Sequence, residues 1–167
     1  MLGKVELLKL LDDRGISFSF EEHDSVLNME ESGKLNLVLE GARCKNLLLQ
    51  DKKGQYFLIV TTASKSLNLS AAAEVLGSKR LSFASSAKLF ELLGIQTGSL
   101  SPLALVNDEA KRTRLIVDSD LSEEATFLFH PLENNASISL SKQALDAFLG
   151  TIGHRAEWKS LNNRTVA

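Results

Sequence analysis

The sequence predicts a single α+β domain, with a central, mainly antiparallel mixed sheet of six or more strands surrounded by helices. Short apolar runs rich in aromatic and β-branched residues alternate with amphipathic segments of helical spacing along the chain. A compact β-hairpin is predicted between Gly41 and Thr62. The length of 167 residues, with 44% hydrophobic and 24% charged residues, suits one domain and is short for two. We therefore expect residues 1–167 to form one domain.

Before the hairpin, the pattern predicts a helix, a strand and a helix-like segment. Residues 3–14 place apolar side chains at helical spacing and are followed by Gly15, which suits the end of a helix. Residues 16–20 alternate apolar and polar side chains, as a half-buried strand does. Residues 24–40 are helix-like, with an interruption at Gly33.

The hairpin consists of two short apolar runs joined by a charged turn. Leu47–Leu49 form the first run, and Tyr56–Val60, rich in aromatic and β-branched side chains, form the second. The turn at residues 51–54 ends in Gly54, where a positive φ commonly closes a four-residue loop. Apolar runs of this kind are expected to be buried.

The rest of the chain alternates helices and strands. The predicted helices run from Ser70 to Gly77, from Ser85 to Gly94, and over residues 142–153 with Ser141 as the N-cap. The predicted strands are residues 79–84, 103–107, 114–117, 125–130 and 136–140, with 157–161 as an edge strand. Residues 162–167 are polar, and we expect them to be frayed.

Composition narrows the classes of function. With 19 Lys and Arg against 21 Asp and Glu, the net charge of −2 argues against a protein that coats nucleic acid, although it allows a local phosphate site. The single cysteine, Cys44, excludes an intramolecular disulfide and a CxxC metal site. The first residues lack the apolar region of a signal peptide, and no apolar run approaches the ~20 residues that span a bilayer. We therefore expect a cytoplasmic protein that does not bind membranes.

Lys45 and Asn46 come directly before the first apolar run of the hairpin. A lysine there has a rigid base, and its ammonium can reach a cleft and hold a phosphate or a developing oxyanion. The alternative is an edge lysine whose charged end stays in solvent. Asn46 offers both a donor and an acceptor. Because neighbours alternate across a strand, Cys44 is expected to face the core as a small apolar residue rather than to act as a reactive thiolate.

A loop and a strand end supply the other candidates. The loop has the pattern G-x-x-x-P and consists of Gly98, Ser99, Leu100, Ser101 and Pro102. Glycine lets backbone N–H groups approach a ligand and proline stiffens the exit, but most loops of this pattern are plain connections. His130 ends an apolar strand, where its imidazole can orient a substrate hydroxyl or cap the sheet through a backbone hydrogen bond. His23 and His154 are expected to be solvated, and without short ligand spacing among the histidines no metal is expected.

Three blocks of the sequence together resemble the free-standing prolyl-tRNA editing proteins. They are CKNLLLQDKKGQYFLIV, GSKRLSFASSAKLFELLGIQTGSLSPLALVND and FHPLENNASISLS. These proteins belong to the aminoacyl-tRNA deacylase superfamily, which includes YbaK and the insertion domain of bacterial prolyl-tRNA synthetase. The resemblance covers roughly residues 5–158 and implies one mixed α/β domain around a mainly antiparallel sheet.

The resemblance implies hydrolysis of the ester that joins a wrong amino acid to tRNA. The subgroup that the chain most resembles clears alanine from tRNA(Pro) and requires no metal, so no cofactor is expected. The family's lysine, asparagine, G-x-x-x-P loop and strand-end histidine fall on Lys45, Asn46, Gly98–Pro102 and His130. The family also suggests that the substrate's own ribose hydroxyl activates water, since no strong general base and no serine triad stand out in the chain. At Leu48, where the family often has an aromatic residue, the chain departs from the pattern.

Partners and alternatives follow from the same resemblance. We expect a monomer that binds the acceptor end of a mischarged tRNA, with prolyl-tRNA synthetase as a candidate partner. Candidate tRNA contacts are Lys79, Arg80, Arg112 and Arg114, although a solvated surface charge is the commoner role for any one such residue. Leu47 or Leu103 is a candidate wall that admits alanine and excludes proline. The alternatives are a deacylase for tRNA mischarged with cysteine or serine, and a non-catalytic module of the same fold that binds tRNA or a nucleotide.

Overall fold

The computed structural model describes residues 1–25 and 37–164 of the chain. Within them, helices pack on a mixed sheet of eight strands. The helices are α1 (Lys4–Asp13), α2 (Leu69–Leu76), α3 (Ser86–Leu93) and α4 (Lys142–Thr151). The strands are β1 (Ser19–Glu22), β2 (Ala42–Gln50), β3 (Tyr56–Thr62), β4 (Ser82–Phe83), β5 (Thr113–Asp118), β6 (Thr126–Phe129), β7 (Ala136–Ser141) and β8 (Ala156–Lys159). Two 3₁₀ helices cover Pro102–Asn107 and Ser119–Leu121.

The strand order is β1-β7-β6-β2-β3-β5-β8, and β4 is a short additional partner of β2. Pairing is antiparallel for β1–β7, β6–β7, β2–β3 and β2–β4, and parallel for β2–β6, β3–β5 and β5–β8. The predicted α+β class with a mainly antiparallel mixed sheet is confirmed. The predicted hairpin is also confirmed, since β2 and β3 pair from Cys44↔Thr62 to Gln50↔Tyr56.

Alternate residues of the central strands face two hydrophobic cores. The larger core includes side chains of α1, α3 and α4 together with Cys44 and Leu48 of β2. The smaller core includes side chains of α2 together with Leu49 of β2 and Ile116 of β5. A period of two along each strand produces this division. Full burial of one such leucine or isoleucine stabilises the fold by about 1.5–3 kcal/mol.

The four predicted helices form, with one change of cap. Ser85 and Ser141 accept hydrogen bonds as N-caps of α3 and α4, as predicted. Asn68, not Ser70, caps α2, because its Oδ1 accepts the N–H of Ala71 at 3.0 Å. The helix therefore begins earlier than the serine suggested.

The predicted strand over residues 103–107 is wrong, because Pro102–Asn107 forms a 3₁₀ helix. Proline suits the first position of a helix, and Ser101 Oγ accepts the N–H of Leu103 at 3.2 Å. A short apolar run that is buried on most sides has no periodicity that distinguishes strand from helix.

Two predicted strands are shorter than expected. The strand predicted from residue 16 begins at Ser19, because the N–H of Ile16 bonds the carbonyl of Leu11 at 3.0 Å and so closes the end of α1. Of residues 79–84, only Ser82–Phe83 pairs with β2.

The expectation of a frayed segment after residue 161 is wrong for residues 162–164. The carbonyl of Asn162 accepts the N–H of Asn68 at 3.0 Å, and Asn163 Oδ1 accepts the N–H of Ser66 at 2.8 Å. These contacts join two segments almost a hundred residues apart, which local composition does not reveal.

The helix-like segment predicted at residues 24–40 lies mostly outside the described residues, and residues 37–40 are not helical. Across the described ranges, no helix combines the length and apolar character needed to cross a lipid bilayer.

Candidate active site

The candidate residues are organised around an opening beside β2. On one side, β3 pairs with β2 from Cys44 to Gln50. On the other side, β6 pairs with Ala42 and Arg43, and β4 pairs with Leu49 and Gln50. Between β6 and β4, the edge of β2 at residues 44–47 has no strand partner in the described part of the chain. We call this opening the gap.

Lys45 and Asn46 lie in the gap and point to opposite faces of the sheet. Lys45 is paired with Thr61, and its Nζ donates to the carbonyl of Lys65 at 2.5 Å. Asn46 shares the larger-core side with Cys44 and Leu48, as alternation along a strand requires.

The Asn46 backbone and side chain both leave polar groups at the gap. The carbonyl of Leu48 accepts the N–H of Ala84 on the gap side. Because every second residue of a strand directs its N–H and C=O to the same side, those of Asn46 also point into the gap. The Asn46 Oδ1 is buried and has no partner among the described residues. A buried acceptor without a partner is rare in a folded protein, so this oxygen is suited to a ligand.

The loop Gly98–Pro102 is fixed to the end of β6 by Ser101. Ser101 is fully buried, and its Oγ donates to the backbone carbonyl of His130 at 2.8 Å. Gly98 has a φ of +93°, a conformation that favours glycine. Leu100 packs in the larger core, so the loop approaches the gap from the Asn46 side.

His130 is placed beside the gap by the register of two parallel strands. Ala42 and Arg43 of β2 are level with Phe127 and Leu128 of β6. Continuing this register by two residues puts His130 level with Lys45. The structure therefore brings the loop, His130 and the edge of β2 together, although the Lys45 ammonium lies on the other face from the loop.

The His130 ring is held in one tautomer. Its Nδ1 lies 2.8 Å from the carbonyl of Ala136, which can only accept, so Nδ1 carries the proton and Nε2 has a lone pair. Burial lowers the pKa of His130. The hydrogen bond to Ala136 raises this pKa, and the neighbouring His23 lowers it, so that the net shift is downward. The ring is therefore neutral at pH 7. The backbone hydrogen bond predicted as an alternative role for His130 is present.

His23 contacts His130, which the sequence did not predict. It was expected to be solvated, but its Nε2 lies 2.9 Å from Ser137 Oγ, and its ring centre is 6.0 Å from that of His130. The two histidines are 107 positions apart, and the β1–β7 pairing brings them together. Only the pairing of β1 with β7 could have indicated this.

A buried ion network fixes the acceptor of the Lys45 hydrogen bond. Lys65 Nζ donates to Asp118 at 2.6 Å, to Asp120 at 2.7 Å and to the carbonyl of Leu161 at 2.6 Å. Burial lowers the pKa of Lys65, but the hydrogen bonds to both carboxylates outweigh it and raise the pKa overall. These three hydrogen bonds anchor the residue whose carbonyl accepts from Lys45.

Cys44 has the predicted structural role. Its side chain is buried in the larger core, and burial raises the pKa of its thiol to about 12. The thiol is therefore protonated at pH 7 and is a poor nucleophile.

The sequence is similar to a known protein family and to several known proteins. The model of the aminoacyl-tRNA editing domain matches residues 23–148. The chain belongs to this family. The prolyl-tRNA editing protein ProX of Acetoanaerobium sticklandii is 31% identical over 155 residues, covering 92% of this chain and 94% of ProX. The prolyl-tRNA synthetase associated domain-containing protein 1 of Bos taurus is 35% identical over 138 residues, covering 80% of each chain.

A solved structure has the same fold as this editing domain. The crystal structure of a candidate trans-editing enzyme for prolyl tRNA synthetase matches with a TM-score of 0.72 and 18% identity, covering 98% of this chain and 99% of that one. The predicted family and fold are confirmed.

The basic residues predicted as tRNA contacts lie in different parts of the editing domain. Lys79 and Arg80 are exposed and precede β4, which borders the gap. Arg114 is level with Phe57 at the other end of the sheet and forms a two-point ion pair with Glu157 at 2.7 and 2.9 Å.

The remaining candidates are Arg112 and the two leucines predicted as walls of the amino-acid pocket, and these leucines lie in different cores. Arg112 lies over the Tyr56 ring, 5.3 Å from its centre, at the end of β5 away from the gap. Leu47 is half-buried against the smaller core, whereas Leu103 is fully buried in the larger one. In the described ranges, no group of three or more His, Cys, Asp or Glu is arranged to hold a metal ion.

Proposed function

We propose that the protein is a trans-editing hydrolase that cleaves the aminoacyl ester of mischarged tRNA, with Ala-tRNA(Pro) as its substrate. The observation that carries this proposal is the convergence of the Gly98–Pro102 loop and His130 on the unpaired edge of β2, in a chain of the editing family.

Lys45 binds the 3′-terminal nucleotide through a phosphate or the ribose in this proposal. Its hydrogen bond to the Lys65 carbonyl orients the ammonium without neutralising it, so the charge remains available to an anion. Asn46 is the adjacent residue on the other face, with Cα atoms about 3.8 Å apart. The nucleotide and the aminoacyl ester are therefore held on two sides of the same strand edge.

The loop stabilises the oxyanion that forms when water attacks the ester carbonyl. The N–H of Ser99 bonds the carbonyl of Gln96. The N–H groups of Gly98 and Leu100 have no partner among the described residues, and we assign the oxyanion to them. Asn46 Oδ1 accepts a hydrogen bond from the α-amino group of the substrate.

His130 shapes the pocket and accepts a hydrogen bond from substrate through Nε2. We do not assign it as the general base, because its ring is fixed by Ala136 and its pKa is lowered by burial. A ribose hydroxyl of the terminal nucleotide activates the water, which requires no metal.

Selectivity is steric in this mechanism. A synthetase that must accept proline rejects the smaller alanine poorly, because a missing methylene is worth only ~1–3 kcal/mol. A second pocket that admits alanine and excludes the pyrrolidine ring supplies the remaining discrimination. Of the two candidate walls, Leu103 lies in the core on the Asn46 side, where the aminoacyl group is held, whereas Leu47 lies on the Lys45 side.

The test is deacylation of a panel of tRNA(Pro) charged with alanine, proline, cysteine or serine. We expect release of alanine, with Pro-tRNA(Pro) left intact. Faster release of cysteine or serine would favour the alternative substrates, and binding without release would favour the non-catalytic module. Activity that a chelator abolishes and added metal restores would contradict the metal-free mechanism.

We further propose that the protein acts as a cytoplasmic monomer on the acceptor end of the tRNA, in contact with prolyl-tRNA synthetase. Light scattering tests the monomeric state, and co-purification tests the contact with the synthetase.

A further inference from the structure

Phe83 is a large aromatic residue of β4 that remains exposed to solvent. It is 60% exposed, although the residues on either side of β4 are packed: Leu81 lies in the smaller core and Ala84 packs against the larger one. In the part of the chain that the structure describes, no other ring and no cation lies against the Phe83 ring. The ring is therefore available to a binding partner.

The pairing of β4 with β2 places Phe83 on the same face of the sheet as Lys45. Phe83 is level with Leu49, and directly opposed residues of antiparallel strands point to the same face. Leu49 packs in the smaller core. Lys45 lies four residues from Leu49, about 13 Å along β2, and an even spacing keeps both on one face. The exposed ring therefore lies on the face where Lys45 is proposed to bind the terminal nucleotide.

Two basic residues lie beyond Phe83 on the side away from the gap. The strands are antiparallel and Ala84 bonds the carbonyl of Leu48, so the residues after β4 lie toward the gap and those before it lie toward the hairpin turn. Lys79 and Arg80 come before β4 and are exposed. Among the described residues, neither side chain has a hydrogen-bond or ion-pair partner. Phe83 thus lies between the gap and two uncompensated positive charges.

An aromatic ring beside free cations fits a single strand of nucleic acid better than an apolar protein surface. Proteins that bind single strands combine positive charges, which attract the phosphate backbone, with aromatic side chains on which bases stack. The charges alone do not define a site, because exposed lysine and arginine attract any polyanion. The ring supplies the contact that distinguishes an unpaired base from a duplex, whose bases are already stacked.

We propose that Phe83 stacks on a nucleobase of the single-stranded 3′ end of the tRNA. This inference rests on the proposed function, in which Lys45 holds the terminal nucleotide. The spacing between Lys45 and Phe83 assigns the stacked base to a nucleotide that precedes the terminal one, on the way to the acceptor stem. Every base has a π face, so the contact does not depend on base identity. Phe83 is a binding residue that aligns the strand with the gap and takes no part in the chemistry.

The test compares Phe83→Leu, which removes the aromatic ring but stays apolar, with Phe83→Tyr, which retains the ring. Phe90→Leu is the matched control, because Phe90 is also exposed, at 58%, but lies on α3, whose buried side chains pack in the larger core on the other face of the sheet. Filter binding at one salt concentration measures the affinity for uncharged tRNA(Pro) and for the same tRNA without its single-stranded 3′ nucleotides.

We expect Phe83→Leu to weaken binding of the intact tRNA by about fivefold or more, the loss of one base stack. Phe83→Tyr and Phe90→Leu should bind like the wild type, and the shortened tRNA should bind equally to all four proteins. In deacylation of Ala-tRNA(Pro), Phe83→Leu should raise KM and leave kcat unchanged, because the stack is the same in the ground state and the transition state.

Equal affinity of the wild type and Phe83→Leu for intact tRNA would overturn the proposal. An equal loss with the shortened tRNA would also overturn it, because the contact would then be to the duplex, and so would a fall in kcat without a rise in KM. A wild type that binds uncharged tRNA but does not hydrolyse Ala-tRNA(Pro) would contradict the proposed function and leave the binding comparison valid. The two failures are therefore distinguishable.

Discussion

Lys45→Ala is the most direct perturbation of the proposed site, because it removes one ammonium and one hydrogen bond to a carbonyl. Two unit charges about 4 Å apart interact by ~4 kcal/mol at an effective dielectric constant of 20. Lys45 is half-buried, so desolvation and solvent screening reduce this to about 1.5–3 kcal/mol for a charge-assisted bond to phosphate. The expected loss in kcat/KM is therefore about 10- to 150-fold.

The assay is single-turnover deacylation of Ala-tRNA(Pro), with Lys52→Ala in the exposed hairpin turn as a control of equal charge change. Urea unfolding shows whether the fold is retained, and we expect a change below about 1.5 kcal/mol, since one hydrogen bond to a carbonyl is lost. A Lys45→Ala protein that deacylates as fast as the wild type and the control would refute the assignment of Lys45 to the site.

Four further predictions concern the surrounding structure. Ser101→Ala removes the bond that holds the loop to the end of β6, and we expect kcat/KM for Ala-tRNA(Pro) to fall about tenfold, measured by the same assay. Lys65→Met leaves the buried Asp118 carboxylate without its ion-pair partner and should lower the free energy of unfolding by about 3–5 kcal/mol in urea titrations. Asp120→Asn changes an exposed partner of the same lysine and should lower it by about 1 kcal/mol or less. Burial lowers the pKa of His130 in the folded state, so the folded protein disfavours the protonated ring. The free energy of unfolding should therefore decrease as the pH falls below about 6.5, the pKa of the unfolded chain. A His130→Gln variant should lose this part of the pH dependence of unfolding. Cys44 should remain unmodified by iodoacetamide at pH 8 in the native protein and react fully in urea, as mass spectrometry measures, and rapid native labelling would contradict its burial.

The sequence was informative where local pattern determines structure. The hairpin turn, the caps Ser85 and Ser141 and the placement of Cys44 in the core all follow from short-range rules. The 3₁₀ helix at Pro102–Asn107 was missed because an apolar run of six residues fits either a strand or a helix when it is buried.

The candidate site was predictable only as separate pieces. Residues Lys45, Gly98 and His130 were selected from the sequence, but the placement of the loop and His130 beside the edge of β2 depends on the parallel β2–β6 register and on the Ser101 bond to His130. The contact between His23 and His130 and the ion network of Lys65 join residues 53 or more positions apart. No local pattern encodes such distances, so these features required the fold.

The residues after β8 stabilise the loop whose carbonyl positions Lys45. The carbonyl of Leu161 accepts from Lys65, and Asn163 holds Ser66, next to the carbonyl that orients Lys45. A protein that ends before Leu161 would lose these hydrogen bonds but keep every strand of the sheet. Its circular dichroism spectrum would therefore resemble that of the full chain, although it would bind tRNA more weakly.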